Sequence, residues 1–239
     1  MSEIQGDFPL TIMFNCAVME HIVKILSIIP VTHDVKSFRF EKPAGYRYTP
    51  GQATDVSINQ PGLRDELRPF TFTSLNEDEW LEFTIKRYPE RHGITDRIHR
   101  LRPGDELIIR NAWGAIEYRG PGYFLAGGAG ITPFLAILRQ LYKDQTISGH
   151  MLFFSNKTSA DIIYEEELKK MLGEQVHFVL TREQKRGYEH ARLNREYLAK
   201  QGFDFGKHFY VCGPDAMIAD VNGLLANMGA LPETLVFEK

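Results

Sequence analysis

Residues 123–134 read Tyr123-Phe124-Leu125-Ala126-Gly127-Gly128-Ala129-Gly130-Ile131-Thr132-Pro133-Phe134, and an apolar pattern with helical spacing continues to Leu141. A short apolar run, clustered glycines and helical periodicity predict, in that order, a buried strand, a tight turn and a helix N-terminus. This is the unit from which parallel sheets with helices on both faces are built, so it constrains the fold more than any other stretch. Gly128 and Gly130 let the backbone turn sharply and come close to a ligand. Pro133 suits the first helical turn, where one N–H lacks a partner anyway. Free amides and the positive helix end then face the mouth of the turn, a ready anion site. Taken alone, the same turn is equally a β–α connection that binds nothing. It is also not the usual dinucleotide fingerprint, since Gly128-x-Gly130-x-x-Pro133 carries proline where glycine or alanine is expected.

The 239 residues suffice for one large domain or two small ones, and the net charge of −3 gives no reason to invoke nucleic acid or an acidic membrane surface. Cys16 and Cys212, far apart, supply no disulfide framework, zinc site or iron–sulfur ligand set. A reducing, cytoplasmic setting is therefore expected, with no metal. Residues 1–19 lack the basic start and long apolar centre of a secretory signal, and no later run reaches the length of a membrane span. They are expected to form a loose extension without function.

From Ile22 the chain reads as short strands: Ile22–Ile29, Val35–Phe40, Ala53–Ile58, Phe70–Ser74, Leu81–Tyr88 and Glu106–Arg110. Leu81-x-Phe83-x-Ile85 alternates most clearly, and Pro–Gly pairs punctuate the run. Such spacing predicts an antiparallel barrel or sandwich over residues 20–118, interrupted by one short helix near Thr95–Leu101. Within it lies Arg68-Pro69-Phe70-Thr71. Arginine offers a planar fork for phosphate, Phe70 an aromatic face and Thr71 a hydroxyl, with Arg68 and Phe70 on one face of a strand. The plain alternative is an aromatic strand with a solvated arginine. Further on, Lys86-Arg87 leaves the next strand, and Gly93-Ile94-Thr95 opens the short helix where phosphate oxygens could meet free amides. Two phosphate-binding devices flanking one aromatic point to a dinucleotide carrying a flat tricycle, which flavin adenine dinucleotide (FAD) satisfies.

After Gly122 strand-like and helical runs alternate, which predicts a parallel sheet with helices on both faces over residues 119–239. Ligands of such sheets lie beyond the strand C-termini. Those ends carry Gly128–Thr132, Ser155–Thr158, Thr181-Arg182 and Cys212-Gly213-Pro214. Gly213 gives backbone access, Pro214 starts a helix, and Cys212 either points into the cleft or simply packs. Thr181-Arg182 with Lys185, Arg186 and Tyr188 could hold an adenosine ribose and a 2′-phosphate, or form a solvated loop.

Arg68-Pro69-Phe70-Thr71, Gly93-Ile94-Thr95, Gly128-Ala129-Gly130-Ile131-Thr132-Pro133, Cys212-Gly213-Pro214 and the terminal Val236-Phe237-Glu238 occur in the order seen in the ferredoxin–NADP reductase-like flavoproteins. The chain most resembles the compact bacterial ferredoxin or flavodoxin reductases and is also similar to cytochrome b5 reductases. The resemblance implies an N-terminal FAD-binding barrel and a C-terminal NADP- or NAD-binding α/β domain. By motif position Arg68 would pair with the FAD pyrophosphate, Phe70 would stack on the flavin, and the Thr71 hydroxyl would lie near the hydride-exchanging nitrogen. Pro69, Lys86, Arg87, Gly93, Ile94 and Thr95 would complete the FAD site. Gly128, Gly130, Ile131, Thr132 and Pro133 would take the nicotinamide cofactor's pyrophosphate, with Thr181, Arg182, Gly213 and Pro214 around it. Thr71, Cys212 and Glu238 would act at the reacting rings, Glu238 as a proton route.

The implied activity moves a hydride from NAD(P)H to FAD and passes electrons to a separate carrier protein, flavodoxin or ferredoxin, from a monomeric enzyme. Two other readings compete. One is an FAD-binding electron-transfer subunit of a larger complex without its own turnover. The other is a cytochrome b5 reductase-like or free-flavin reductase.

Overall fold

A computed structural model describes residues 19–114 and 116–237. The expectations for residues 1–18 and for Glu238 fall outside them. The first half forms β1 (His21–Pro30), β2 (Val35–Glu41), β3 (Gln52–Ile58), β4 (Arg68–Thr71), β5 (Trp80–Lys86), α1 (Ile94–Ile98), β6 (Glu106–Ile109) and β7 (Trp113–Gly114). Six of these strands lie in the order β4-β3-β6-β1-β2-β5, with β7 added on β3. The two edges meet, because Phe72 bridges Phe83 and the Thr73 amide donates to the Glu82 carbonyl at 2.8 Å. Closure removes the unpaired edges that an open sheet would expose. Alternating side chains such as Val23, Ile25, Phe38, Phe40, Leu81, Phe83 and Ile85 fill the interior.

The second half forms β8 (Gly122–Gly127), α2 (Thr132–Lys143), β9 (Met151–Asn156), α3 (Glu165–Leu172), β10 (Val176–Leu180), β11 (Glu189–His190), α4 (Arg195–Ala199), β12 (His208–Cys212), α5 (Asp215–Met228) and β13 (Leu235–Phe237). All pairings are parallel, in the order β11-β10-β9-β8-β12-β13. Every residue of β8 is buried, and its side chains divide between two cores. Phe124 and Ala126 meet α2 and α3 through Phe134, Leu138 and Leu168. Tyr123 and Leu125 meet α4 and α5 through Leu198, Val221 and Leu225. The chain winds outward from β8 to β11, then returns to β12 on its other side. The order reverses between β8 and β12, which is where open α/β sheets leave a crevice for a ligand. No helix among the described residues is long and apolar enough to cross a membrane.

The barrel and the α/β unit share a buried seam. Val35 and Ile116 belong to the same core as Phe134 and Leu138. The face of β5 turned away from the barrel interior is covered as well: Glu82 is 3% and Thr84 5% exposed. α2 lies over it, Arg139 reaching across to Glu82, and the Tyr164 hydroxyl before α3 approaches Thr84.

Two buried histidines are expected to make the fold acid-sensitive. His99 donates from Nε2 to the Ile85 carbonyl (2.8 Å), and His150 donates from Nδ1 to the Ile147 carbonyl (2.9 Å) while Tyr118 donates to its Nε2. Burial lowers the pKa of both below the ordinary value near 6.5. The unfolded chain then binds more protons below that value, so the stability these groups contribute is complete above about pH 6.5 and is lost as pH falls. The melting temperature is expected to fall between pH 7.5 and 5.5. A His99→Gln, His150→Gln double variant should show a flatter profile over that interval, and an unchanged slope would refute the assignment.

Candidate functional site

The glycine turn sits where the sheet order reverses. β8 ends at Gly127, a tight 3-10 turn spans Gly128–Ile131, and α2 begins at Thr132 with Pro133 in its first turn. Thr132 Oγ1 donates to the Ala129 carbonyl at 3.1 Å and steadies the entry. The two glycines do different things. Gly128 has φ +53°, and a side chain built on it would meet nothing within 4 Å. Its backbone therefore needs glycine's left-handed freedom and faces open space. Gly130 makes a close approach, but to the chain itself: an added Cβ would lie 2.3 Å from the Cys212 carbonyl oxygen and 2.5 Å from the Gly213 nitrogen. The turn after β8 and the turn after β12 are thus pressed together.

These turns floor a cleft of about 560 Å³. Gly127, Gly128 and Ala129 line it with Gly213, Pro214 and Met217 from the β12 end, Ser155 and Asn156 from the β9 end, and Thr181 from the β10 end. The barrel contributes Lys86 and Tyr88. Cys212 is buried at 4% exposure as the last residue of β12. Asn156 is 5% exposed, and both polar atoms of its side-chain amide are buried without a hydrogen-bond partner among the described residues. Buried amides without partners are rare in finished folds and mark a place for a polar ligand. A nicotinamide dinucleotide fits this floor, with open backbone at Gly128 for its pyrophosphate and an unmet amide nearby. The strand-end rule pointed at residues 155–158, but nothing in the sequence separated Asn156 from its neighbours. Tyr88 was missed because it stands at the end of the expected Leu81–Tyr88 strand with no signal of its own, whereas β5 stops at Lys86.

A second cavity of about 770 Å³ opens where the barrel rim meets the C-terminal strand. Thr49, Gln52, Trp113 and Gly114 face Leu235, Val236 and Phe237 across it. Thr71 pairs with Ala53 beside this rim, and the Phe72 amide donates to the Gln52 carbonyl at 3.2 Å. Arg68 through Thr71 form β4, which pairs with β3. Arg68 and Pro69 are exposed, Phe70 and Thr71 half-buried, and the Phe70 ring centroid lies 5.8 Å from that of Phe83. Arg68 donates to its neighbour's carbonyl, Leu67, at 2.8 Å and makes no ion pair among the described residues. A flat ring system with a pyrophosphate fits a half-buried aromatic, a hydroxyl and an uncommitted guanidinium on one edge. Arg68–Thr71 line neither of the two cavities, so the barrel side of the glycine cleft is Lys86 and Tyr88.

Other sequence candidates already have partners. Lys86 is ion-paired with Asp34. Arg87 donates to Asp96 at 2.7 Å, and Arg100 takes the other carboxylate oxygen at 2.6 Å. The hydrogen bond from Arg87 and that from Arg100 hold the Asp96 carboxyl below the usual range. Gly93 caps α1 without a side-chain hydrogen bond, Ile94 is buried and Thr95 half-buried. On the far side, Thr181 Oγ1 donates to the Asn156 carbonyl at 3.2 Å, Lys185 donates to Ser159 Oγ at 2.9 Å, and Tyr188 donates to Glu165 at 2.6 Å. Arg182 is exposed and makes no ion pair among the described residues. Beside Thr181 a third cavity of about 680 Å³ is lined by Arg192 and Asn194, neither of which the sequence had singled out.

Comparison with known proteins agrees with both halves. Residues 23–118 match the oxidoreductase FAD-binding domain family and residues 124–223 the oxidoreductase NAD-binding domain family. Over 229 residues the chain is 27% identical to NADH-cytochrome b5 reductase 2 of Mycosarcoma maydis, covering 86% of this chain and 65% of that protein. Over 218 residues it is 23% identical to the ferredoxin–NAD(P)(+) reductase component of the naphthalene 1,2-dioxygenase system of Pseudomonas putida, covering 87% of this chain and 65% of that protein. The chain thus spans about two-thirds of the length of these relatives, a little under it at 65% in each case. The crystal structure of the flavohem-like FAD/NAD-binding domain of nitric oxide dioxygenase from Vibrio cholerae superposes with a TM-score of 0.82 at 19% identity, covering 91% of this chain and 97% of that one.

Proposed function

This chain belongs to the ferredoxin–NADP reductase-like FAD-dependent oxidoreductases, and from that premise we propose that it takes a hydride from NAD(P)H and delivers electrons to a separate carrier protein. The observation that carries the proposal is the cleft in which Lys86 and Tyr88 of the barrel face Gly127–Ala129 of the α/β unit, so that both halves open on one space. FAD, when bound, accepts a pair of electrons from the nicotinamide and can release them singly. The chain's share is binding and orientation. Arg68 takes a pyrophosphate through its fork, Phe70 offers a ring face, and Thr71 places a hydroxyl at the edge of the flavin site. Gly93, Ile94 and Thr95 complete that site, with Lys86 and Arg87, held by Asp34 and Asp96, lending positive charge at its border rather than direct phosphate contacts. Gly128 and the start of α2 take the second pyrophosphate through free backbone amides. Asn156 satisfies its amide on the same cofactor, and Cys212, buried in the core just before the Gly213 turn and lining none of the cavities itself, stands behind the nicotinamide end of the cleft. Glu238 follows β13 directly and is proposed as the proton route.

The relatives named above include a reductase that serves ferredoxin and one that serves cytochrome b5. We take a small electron-carrier protein of the ferredoxin or flavodoxin kind as the acceptor, and a monomer in the cytoplasm as the working form. NADPH is the preferred donor in this reading, because Arg182 at the end of β10 has its guanidinium exposed for a 2′-phosphate. Anaerobic reduction of the purified chain by NADH and NADPH in parallel tests the proposal. The expected result is a yellow protein that keeps FAD through gel filtration and bleaches faster with NADPH. A chain that refuses flavin overturns the reading, flavin lost on the column favours a free-flavin reductase, and bound flavin that neither donor reduces favours a relay subunit.

A further inference from the structure

The covered face of β5 holds one buried cluster that belongs to both halves. Arg139, on the helix that starts at the glycine turn, has 18% of its side chain exposed. Its Nε and Nη2 donate to the two carboxylate oxygens of Glu167 at 2.6 and 2.9 Å, both within the α/β unit. Its Nη1 crosses to the barrel, donating to Glu82 Oε1 at 3.0 Å and to the Thr73 carbonyl. Glu82 is held in turn by Arg39 (3.1 Å) and by the Thr73 hydroxyl (2.9 Å). The Tyr164 ring lies under the guanidinium, 5.0 Å from centroid to carbon. Tyr164 occupies the left-handed region with φ +53°, which a bulky side chain adopts only when its surroundings hold it there. Burial opposes the charged form of Glu82, and Arg139 and Arg39 more than offset it, keeping the carboxyl below its usual range.

The cluster's place in the chain gives it a purpose. Thr73 comes two residues after Thr71, so its carbonyl is rigidly joined to the strand assigned to the flavin. Arg139 lies on the same helix as Thr132 and Pro133, which open the nicotinamide site. Two units joined by a short linker move relative to one another unless their interface forbids it. A buried ion pair contributes little net stability, because desolvation consumes most of the attraction, yet its fork geometry admits few arrangements. Among the described residues the other cross-seam ion pairs lie at the surface, with Lys143 and Glu77 half exposed and His33 more than half exposed beside Asp161. They are too solvated and flexible to fix an angle.

We propose that Arg139 is a positioning residue that sets the placement of the nicotinamide site against the flavin site, by locking α2 to the Thr73–Glu82 corner of the barrel. This rests on the function proposed above and adds a residue outside both cofactor sites to it. A lysine at this position keeps the charge but loses the fork. In an Arg139→Lys variant, FAD retention and the NADPH dissociation constant should stay within twofold of the parent. The single-turnover rate of flavin reduction should fall at least tenfold, because near-attack geometry is lost while each half-site survives. In the cofactor-free chain, calorimetry should show one unfolding transition for the parent and two for Arg139→Met, with Glu82→Gln as the substitute if that variant does not fold. A lysine variant reduced at the parental rate overturns the proposal. So does one that loses cofactor binding together with rate, since that would make the cluster merely structural. If the parent takes up no FAD, the functional reading fails, and the calorimetric comparison alone decides whether Arg139 couples the two halves: a single transition in the variant overturns it.

Discussion

Replacing Gly130 with alanine is expected to abolish flavin reduction by NADPH while leaving FAD on the protein. The added methyl would sit 2.3 Å from the Cys212 carbonyl oxygen, and the nearest atoms are all backbone. No rotamer change relieves such a contact, so the turn after β8 and the turn after β12 must separate. Overpacking that side chains can absorb costs roughly 1–3 kcal/mol, and here the strain falls on two turns that together floor the cleft. The barrel, with its own core, is untouched, so the flavin spectrum should remain. Gly128→Ala is the matched control. Its positive φ costs a non-glycine residue about 1–2 kcal/mol, but the new methyl meets no protein atom and projects into the open space of the cleft. It should weaken NADPH binding with a much smaller loss of melting temperature than Gly130→Ala. Equal melting losses in the two variants would mean that the close packing at Gly130 is not what holds the turns together.

Arg68→Ala is expected to strip FAD from the protein without unfolding it. The guanidinium is exposed and holds only the carbonyl of its own neighbour, Leu67, so its removal should change stability by no more than about 0.5 kcal/mol. A charge-assisted hydrogen bond to a pyrophosphate contributes about 1.5–3 kcal/mol, which corresponds to a loss of roughly tenfold to 150-fold in FAD affinity. Fluorescence titration of the cofactor-free variant measures that loss, and thermal melts of the same sample check the fold. Arg68→Lys should recover only part of the affinity, since a point charge does not reproduce the fork. Unchanged FAD affinity in Arg68→Ala would move the pyrophosphate site elsewhere on the barrel. Arg87 is a poor candidate to replace it, because its side chain is committed to Asp96.

Much of this architecture is written in local patterns. The alternation of Leu81, Phe83 and Ile85 marked the barrel interior, and all three are buried there. The strand at His208–Cys212, the helix at Asp215–Met228 and the strand at Leu235–Phe237 follow the strand–helix alternation expected after Gly122. The glycine turn and the Cys212-Gly213-Pro214 turn were both legible as strand ends, because glycine and proline punctuate the chain through their own backbone restrictions. The two-residue strands β7 and β11 were not legible, since so short a pairing has no periodicity of its own and exists only beside β3 and β10.

What residue order alone determined here is the succession of elements, the division into an antiparallel and a parallel half, and the motifs at the strand ends. These depend on backbone preference and on one-dimensional spacing, which travel with the chain. Tertiary structure decided which faces those elements share. Glu82 and Thr84 have the spacing of a solvated face and are buried because another half of the molecule lies on them. Gly130 reads as an approach to a ligand and instead meets the backbone of Cys212. Asn156 is one polar residue among several until burial leaves its amide without a partner. For Glu82, Thr84 and Gly130 the deciding neighbour is dozens of residues away, and only folding brings the two within a few ångströms, where sterics and desolvation act.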